Sequence, residues 1–318
     1  MRAVVIGGGT WGTGFARLLA DRSFDVTLAV RDPAVAQAIR ETRRNPRYSR
    51  SVDLHDVAAA TIAEAPFADA ELVVVAVPSR SFRSVVQRLP GTAPVLSLTK
   101  GLDPDTGERL STLVEGRSVA VLSGPNMAEE ILAGLPAVAV IASADLELAR
   151  ELQEALGSLV FRVYVNDDIV GVELCAAAKN VIALAAGAVD GLGLGDNAKA
   201  ALITRGLVEM ARLGEALGAN PETFSGLAGM GDLIVTCWHP SGRNRRAGAL
   251  IAGGESPDQA RYAIGQVVEG LTTAPVLRDL SRRLGIEMPI TEGVCSVLAG
   301  QPLHELAAEL MGRRPTDE

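Results

Sequence analysis

Apolar residues follow two rhythms along this chain. Up to about residue 165 they form short unbroken runs at Ala3–Ile6, Leu72–Val77, Val95–Leu98, Val119–Leu122 and Ala137–Ile141, with a further strand-like stretch at Asp25–Val30. Runs of this length look like strands buried on both faces of a parallel sheet. Residues 81–87, 107–114 and 126–132 between them carry helical spacing. From Asp167 the strand signals stop, and Asp167–Ala188, Asn197–Leu217, Thr272–Leu284, Thr291–Leu298 and Leu303–Met311 read as helices. Strands alternating with helices, then helices alone, predict an α/β doubly wound sheet over residues 1–166 and an all-α domain over 167–318.

The first run breaks into Gly7-Gly8-Gly9-Thr10-Trp11-Gly12 and resumes as an amphipathic pattern to Ala20. Gly7, Gly9 and Gly12 stand at G-x-G-x-x-G spacing between a strand and a helix. The first glycine permits a tight turn, the second lets backbone approach a pyrophosphate, and the third lets helix and strand pack closely. The helix N-terminus then offers N–H groups to phosphate. At the end of the second strand, an acid binds a ribose 2'-hydroxyl and an arginine accommodates a 2'-phosphate. Arg31 and Asp32 occupy that place, so NADP is favoured and NAD stays open. The run 40–50, with Arg43, Arg44, Arg47 and Tyr48, reads as a solvated helix end and loop that can also line the adenosine side of the cofactor.

A net charge of −8 on 318 residues argues against general affinity for nucleic acid or anionic membrane. Without a leader-like apolar segment before the first strand, a cytoplasmic protein is expected. The longest apolar stretch, Val170–Val189, carries Glu173 and Lys179 and is expected as a buried helix, not a membrane span. Cys175, Cys237 and Cys295 are far apart and lack metal-ligand spacing, so reduced thiols are expected and no metal site.

Charge usage is more informative. Of thirty lysines and arginines only Lys100, Lys179 and Lys199 are lysine, so a lysine here is a candidate for a role that arginine cannot fill. Lys179 stands among Leu174-Cys175-Ala176-Ala177-Ala178 and Asn180-Val181-Ile182, apolar surroundings that would lower an ammonium pKa toward the working pH. It is the candidate proton-transfer group for a carbinol or carbonyl oxygen, ahead of His55, His239 and His304, with Asp232 as a partner carboxylate. Lys100 and the Ser123-Gly124-Pro125-Asn126 turn follow core strands, where ligands of doubly wound sheets sit. Ser241-Gly242-Arg243-Asn244-Arg245-Arg246 joins a turn to donors suited to a phosphate or carboxylate.

Taken together, Gly-Gly-Gly-Thr-Trp-Gly-Thr at 7–13, Thr-Lys-Gly-Leu at 99–102, Ser-Gly-Pro at 123–125, Ala-Ala-Lys-Asn-Val at 177–181, Gly-Asp-Asn-Ala-Lys-Ala-Ala at 195–201, Gly-Met-Gly-Asp-Leu at 229–233, Arg-Asn-Arg at 243–245 and Val-Val-Glu-Gly at 267–270 resemble the bacterial NAD(P)-dependent glycerol-3-phosphate dehydrogenase family. The resemblance runs from residue 1 to about 300. It implies a Rossmann domain followed by a helical domain of the 6-phosphogluconate dehydrogenase type. It also implies reversible reduction of dihydroxyacetone phosphate to sn-glycerol 3-phosphate, feeding phospholipid synthesis, by a homodimer. Position by position, Thr10, Trp11, Arg31, Tyr48, Lys100, Ala128, Val267 and Glu269 match cofactor contacts. Lys179 matches the proton acceptor, and Lys100, Gly124, Asp232, Arg243 and Asn244 match substrate positions, with Arg243 touching cofactor as well. Asn126 and Gly242 replace the family's usual hydroxyl residues at two further substrate positions, where Ser241 or the Asn126 amide are the expected substitutes. Ser49-Arg50 replaces the usual Leu-Pro after Tyr48.

Overall fold

The computed structural model describes residues 1–48 and 50–303. Ser49, the candidate His304 and the helix expected beyond Leu303 lie outside them. Among the described residues, one sheet contains β1 (Arg2–Ile6), β2 (Asp25–Val30), β3 (Val57–Thr61), β4 (Leu72–Val75), β5 (Val95–Ser97), β6 (Val119–Ser123), β7 (Ala137–Ala142) and β8 (Phe161–Asn166), in the order β3-β2-β1-β4-β5-β6-β7-β8. Between the strands run α1 (Thr10–Asp21), α2 (Pro33–Thr42), α3 (Ser79–Val86), α4 (Ala128–Leu132) and α5 (Leu146–Leu156). Strand order reverses at β1, which pairs in parallel with both β2 and β4; Val5 stands opposite Leu28 on one side and Val74 on the other. That reversal is the switch point at which doubly wound sheets bind ligands.

Both faces of β1 are buried. Ala3 and Val5 join a core with Phe15, Leu19 and Ile39, while Val4 and Ile6 join another with Phe67, Phe82 and Val86. Burial on two sides is why the strand shows no polar alternation. β8 is different: Phe161 and Val163 are buried while Arg162 and Tyr164 are exposed, a period of two that a search for unbroken runs passes over.

Two expectations need correction. β7 runs antiparallel to β6, so the sheet is not wholly parallel. The five-residue α4 is too short to return the chain along the sheet, whereas the longer α5 does so before β8, which pairs in parallel with β7. Residues 107–114 form only a 3-10 turn at Leu110–Leu113. The Asp103 side chain captures the N–H groups of Asp105 and Thr106, and Gly107 takes φ +76°, which closes a tight turn where a helix was expected.

The later part comprises α6 (Ile169–Gly191), α7 (Gly195–Ala216), α8 (Pro221–Ser225), a π-helical turn at Leu227–Gly231, α9 (Asp232–Trp238), α10 (Arg243–Ala252), α11 (Pro257–Ile264), α12 (Glu269–Leu284) and α13 (Pro289–Leu298). The chain divides into two compact units: a sheet unit of Met1–Ala176 with Gly218–Asp232, and a helical unit formed by Ala177–Leu217 and the chain from Leu233 onward. The division falls inside α6, and one later segment returns to the sheet unit. Packing explains both, since Val172 and Ala228 join Val121, Val140 and Ala142 in one apolar cluster. α6 is long and apolar enough to cross a membrane, but 89% of its apolar window is buried inside the protein, as expected of a core helix. In the helical unit Leu184, Ala247, Ala260, Val268 and Leu271 form the core.

Candidate active site

The glycine turn has the geometry that its spacing predicts. Gly7 adopts φ +118°, and a Cβ placed on Gly12 would lie 2.0 Å from the Gly7 carbonyl oxygen. Only glycine lets α1 leave β1 this closely. Gly9 is the N-cap of α1 with no side-chain cap, and a Cβ there would meet nothing within 4 Å. Open space before an uncapped helix start is what a pyrophosphate needs. The Trp11 Nε1 is buried without a hydrogen-bond partner, a donor available to a ligand. These features fit a dinucleotide. Ala128, at the start of α4, packs on α1 beside Gly14.

At the end of β2, Arg31 is exposed. The Asp32 carboxylate caps α2 through the Ala34 N–H at 3.0 Å and pairs with Arg47. The adjoining loop is tied to the glycine turn by Asn45, a residue sequence reasoning missed. Its fully buried amide donates to the Gly8 carbonyl (2.9 Å) and Thr13 Oγ1 (2.8 Å) and accepts the N–H groups of Arg47 and Tyr48.

The turns after β5 and β6 come together. The Lys100 Nζ donates to Asp232 Oδ2 at 3.0 Å and to Asn126 Oδ1 at 3.4 Å, and the Ser123 hydroxyl donates to the same Asp232 oxygen at 3.2 Å. Thr99 Oγ1 donates to the Val77 carbonyl, drawing in the turn after β4. Gly124 makes its turn at φ +119°. The Asn126 Nδ2 is buried with no partner, so this amide presents an unused donor beside the Lys100 ammonium.

In the helical unit Lys179 is 4% exposed, and its Nζ donates to Thr236 Oγ1 at 2.9 Å. Thr236 lies one turn after Asp232 in α9; sequence reasoning did not single it out. Next to Lys179, Asn180 accepts from Asn244 Nδ2 at 2.8 Å, and Asn244 Oδ1 accepts the Gly270 N–H at 2.9 Å. Asn244 therefore joins α6, α10 and α12. Exposed Arg243 opens α10 and donates to the Val267 carbonyl at 3.1 Å; half-buried Glu269 begins α12 two residues later. Gly242 is the N-cap of α10 with no side-chain cap, and a Cβ there would stand 3.1 Å from the Thr236 carbonyl oxygen. The Ser241 hydroxyl is engaged with His239 Nδ1 at 2.9 Å.

Comparison with known proteins decides what these groups belong to. Residues 2–149 and 168–307 match the N-terminal and C-terminal models of NAD-dependent glycerol-3-phosphate dehydrogenase. Over 99% of its length the chain is 48% identical to glycerol-3-phosphate dehydrogenase [NAD(P)+] of Moorella thermoacetica, covering 96% of that protein. With the Nocardia farcinica enzyme it shares 44% over 98% of both chains. A glycerol-3-phosphate dehydrogenase crystal structure from Coxiella burnetii superposes with a TM-score of 0.94 at 36% identity, covering 98% of this chain and 99% of that one. The chain belongs to the NAD-dependent glycerol-3-phosphate dehydrogenase family.

The carboxyls outside the motifs show how α6 and its neighbours are held. Burial pushes the Glu173 carboxyl above its ordinary range, against hydrogen bonds from Ser111 and an ion pair with Arg109. Burial also raises Glu209 to about 7, although it accepts the N–H groups of Ile290 and Thr291 at the start of α13. Cys175, Cys237 and Cys295 are buried and form no disulfide among the described residues.

Proposed function

We propose that the chain catalyses reversible reduction of dihydroxyacetone phosphate to sn-glycerol 3-phosphate with NADPH or NADH, supplying glycerophospholipid synthesis, as a cytoplasmic homodimer. Family membership supports the reaction, and the observation that carries the chemistry is Lys179, buried and aimed by Thr236.

When bound, the reduced nicotinamide supplies a hydride to the carbonyl carbon. Gly7, Gly9 and Gly12 with the start of α1 hold its pyrophosphate, next to Thr10, Trp11 and Ala128, with Tyr48, Val267 and Glu269 at further cofactor positions. Lys179 gives its proton to the carbonyl oxygen as that oxygen becomes a hydroxyl, and takes it back in the oxidative direction. Thr236 fixes the ammonium so that little reorganisation accompanies transfer. Arg243, Asn244 and the uncapped N-terminus of α10 hold the phosphate. There the Gly242 backbone takes the place of a serine side chain. Lys100, Asp232, Gly124 and Asn126 are further substrate positions, with Asn126 offering its unpaired N–H. Since capping and Arg47 occupy the Asp32 carboxylate, Arg31 decides the ribose end, and NADPH is preferred.

The test is NADPH oxidation followed spectroscopically with dihydroxyacetone phosphate, repeated with NADH and with unphosphorylated keto acids. Turnover confined to the phosphorylated ketone, faster with NADPH, is expected. Equal turnover of a keto acid would overturn the substrate assignment, and faster NADH oxidation the cofactor preference.

A further inference from the structure

Lys199 takes no part in the reading above, yet it is as buried as Lys179, with 3% of its surface exposed. It lies early in α7. Its Nζ donates to both oxygens of Asp190, at 3.0 and 2.9 Å, and stands 4.8 Å from the centre of the Trp238 ring. Asp190, near the end of α6, also accepts from Arg245 Nε in α10. Burial alone would raise the Asp190 carboxyl, but Lys199 and Arg245 hold it below its ordinary value. One carboxylate thus answers two cations, and the ring face takes up part of the surplus positive charge.

Four helices converge on this cluster, and three of them carry groups assigned to the substrate. Lys179 is on α6. Thr236 precedes Trp238 by two residues, and Arg243 and Asn244 immediately precede Arg245. The α6 and α10 backbones touch at this level, since a Cβ on Gly187 would lie 1.8 Å from the Arg245 carbonyl oxygen. Two pressed backbones leave no slack between Arg245 and the first turn of α10.

We infer that Lys199, with Asp190, Arg245 and Trp238, is a positioning cluster that sets the first turn of α10 so that Arg243 meets the substrate's phosphate. A compact ammonium can satisfy a carboxylate and lie on a ring face together, whereas a planar guanidinium fork demands more room. This accounts for a lysine at 199 in a chain where only three of thirty lysines and arginines are lysine. The inference rests on Arg243 being the phosphate anchor.

The experiment is steady-state kinetics on Lys199→Met, Lys199→Arg, Trp238→Leu and Arg243→Ala, with inorganic phosphate as a competitive probe of the anion site. Lys199→Met should raise the KM for dihydroxyacetone phosphate and the inhibition constant of phosphate by about tenfold each, as misplacement of a binding group does. Its kcat should stay within about threefold and its KM for NADPH should not move. Lys199→Arg should fail to restore the substrate KM. If Lys199→Met does not fold, Trp238→Leu keeps the ion pair and removes the ring, and it should raise both constants by about threefold. Unchanged constants in the folded variants overturn the inference, and so does a uniform loss in kcat, NADPH affinity and thermal midpoint, which would mean that the cluster merely supports the fold. An unchanged KM in Arg243→Ala would instead remove the phosphate anchor on which the inference stands.

Discussion

The sheet unit and the helical unit build their binding groups from different material. Around the glycine turn the working parts are backbone: a φ of +118° at Gly7, contact between Gly12 and the Gly7 carbonyl, and open space at Gly9. In the helical unit they are buried side chains bonded in pairs, Lys179 to Thr236, Asn244 to Asn180 and Lys199 to Asp190. A backbone cradle is broken by adding a methyl group. A side-chain cluster is broken by taking one member away, because each buried partner left unsatisfied costs about 1–3 kcal/mol.

The difference orders the expected effects. The largest belongs to Lys179→Ala, for which turnover with dihydroxyacetone phosphate should fall about 10³-fold. The NADPH dissociation constant, read by fluorescence titration, should stay at the wild-type value because the cradle is intact. Wild-type-like turnover would remove Lys179 from the chemistry.

Next comes the pH dependence of the helical unit. Glu209 ionises near 4.5 in the unfolded chain and near 7 in the folded one, so its contribution is complete below pH 4.5 and is lost as the pH rises through 7. Across that window stability should fall by about 3 kcal/mol in total. Glu209→Gln should flatten this part of the denaturation profile, and an unchanged slope would contradict a buried, reluctant carboxylate.

In the sheet unit, Gly12→Ala has to fit a methyl group 2.0 Å from a carbonyl oxygen. NADPH affinity should drop about 10²-fold, and titration within threefold of wild type would mean that close approach is not what the turn needs. Asn45→Ala should cost the least, about 2 kcal/mol in denaturant unfolding, with a few-fold loss of NADPH affinity. A variant as stable as wild type would show that the loop does not depend on this amide.

The same contrast governs how much was legible beforehand. The strands of the sheet interior were visible because burial on both faces leaves an unbroken apolar run, and the glycine turn because its spacing is a backbone requirement. β3 and β8 were not visible: β3 is mostly alanine, and β8 alternates as an edge strand does. The reversal of β7 depends on the length of α4, which apolar periodicity does not report. Within the helical unit, the scarcity of lysine pointed to Lys179. Its partner Thr236 lies fifty-seven positions away, and no local pattern links the two. Asn45 was hidden in an arginine-rich run that reads as solvated, because a fully satisfied buried amide looks like any loop asparagine in sequence.

The central claim is that the Lys179 amine carries the proton, and the pH dependence of glycerol 3-phosphate oxidation tests it most directly. In the wild type kcat/KM should rise with pH through one ionisation, as the ammonium becomes a free base. In Lys179→Ala the residual rate should lose that ionisation while NADPH still binds. A variant that keeps the wild-type profile would contradict the account.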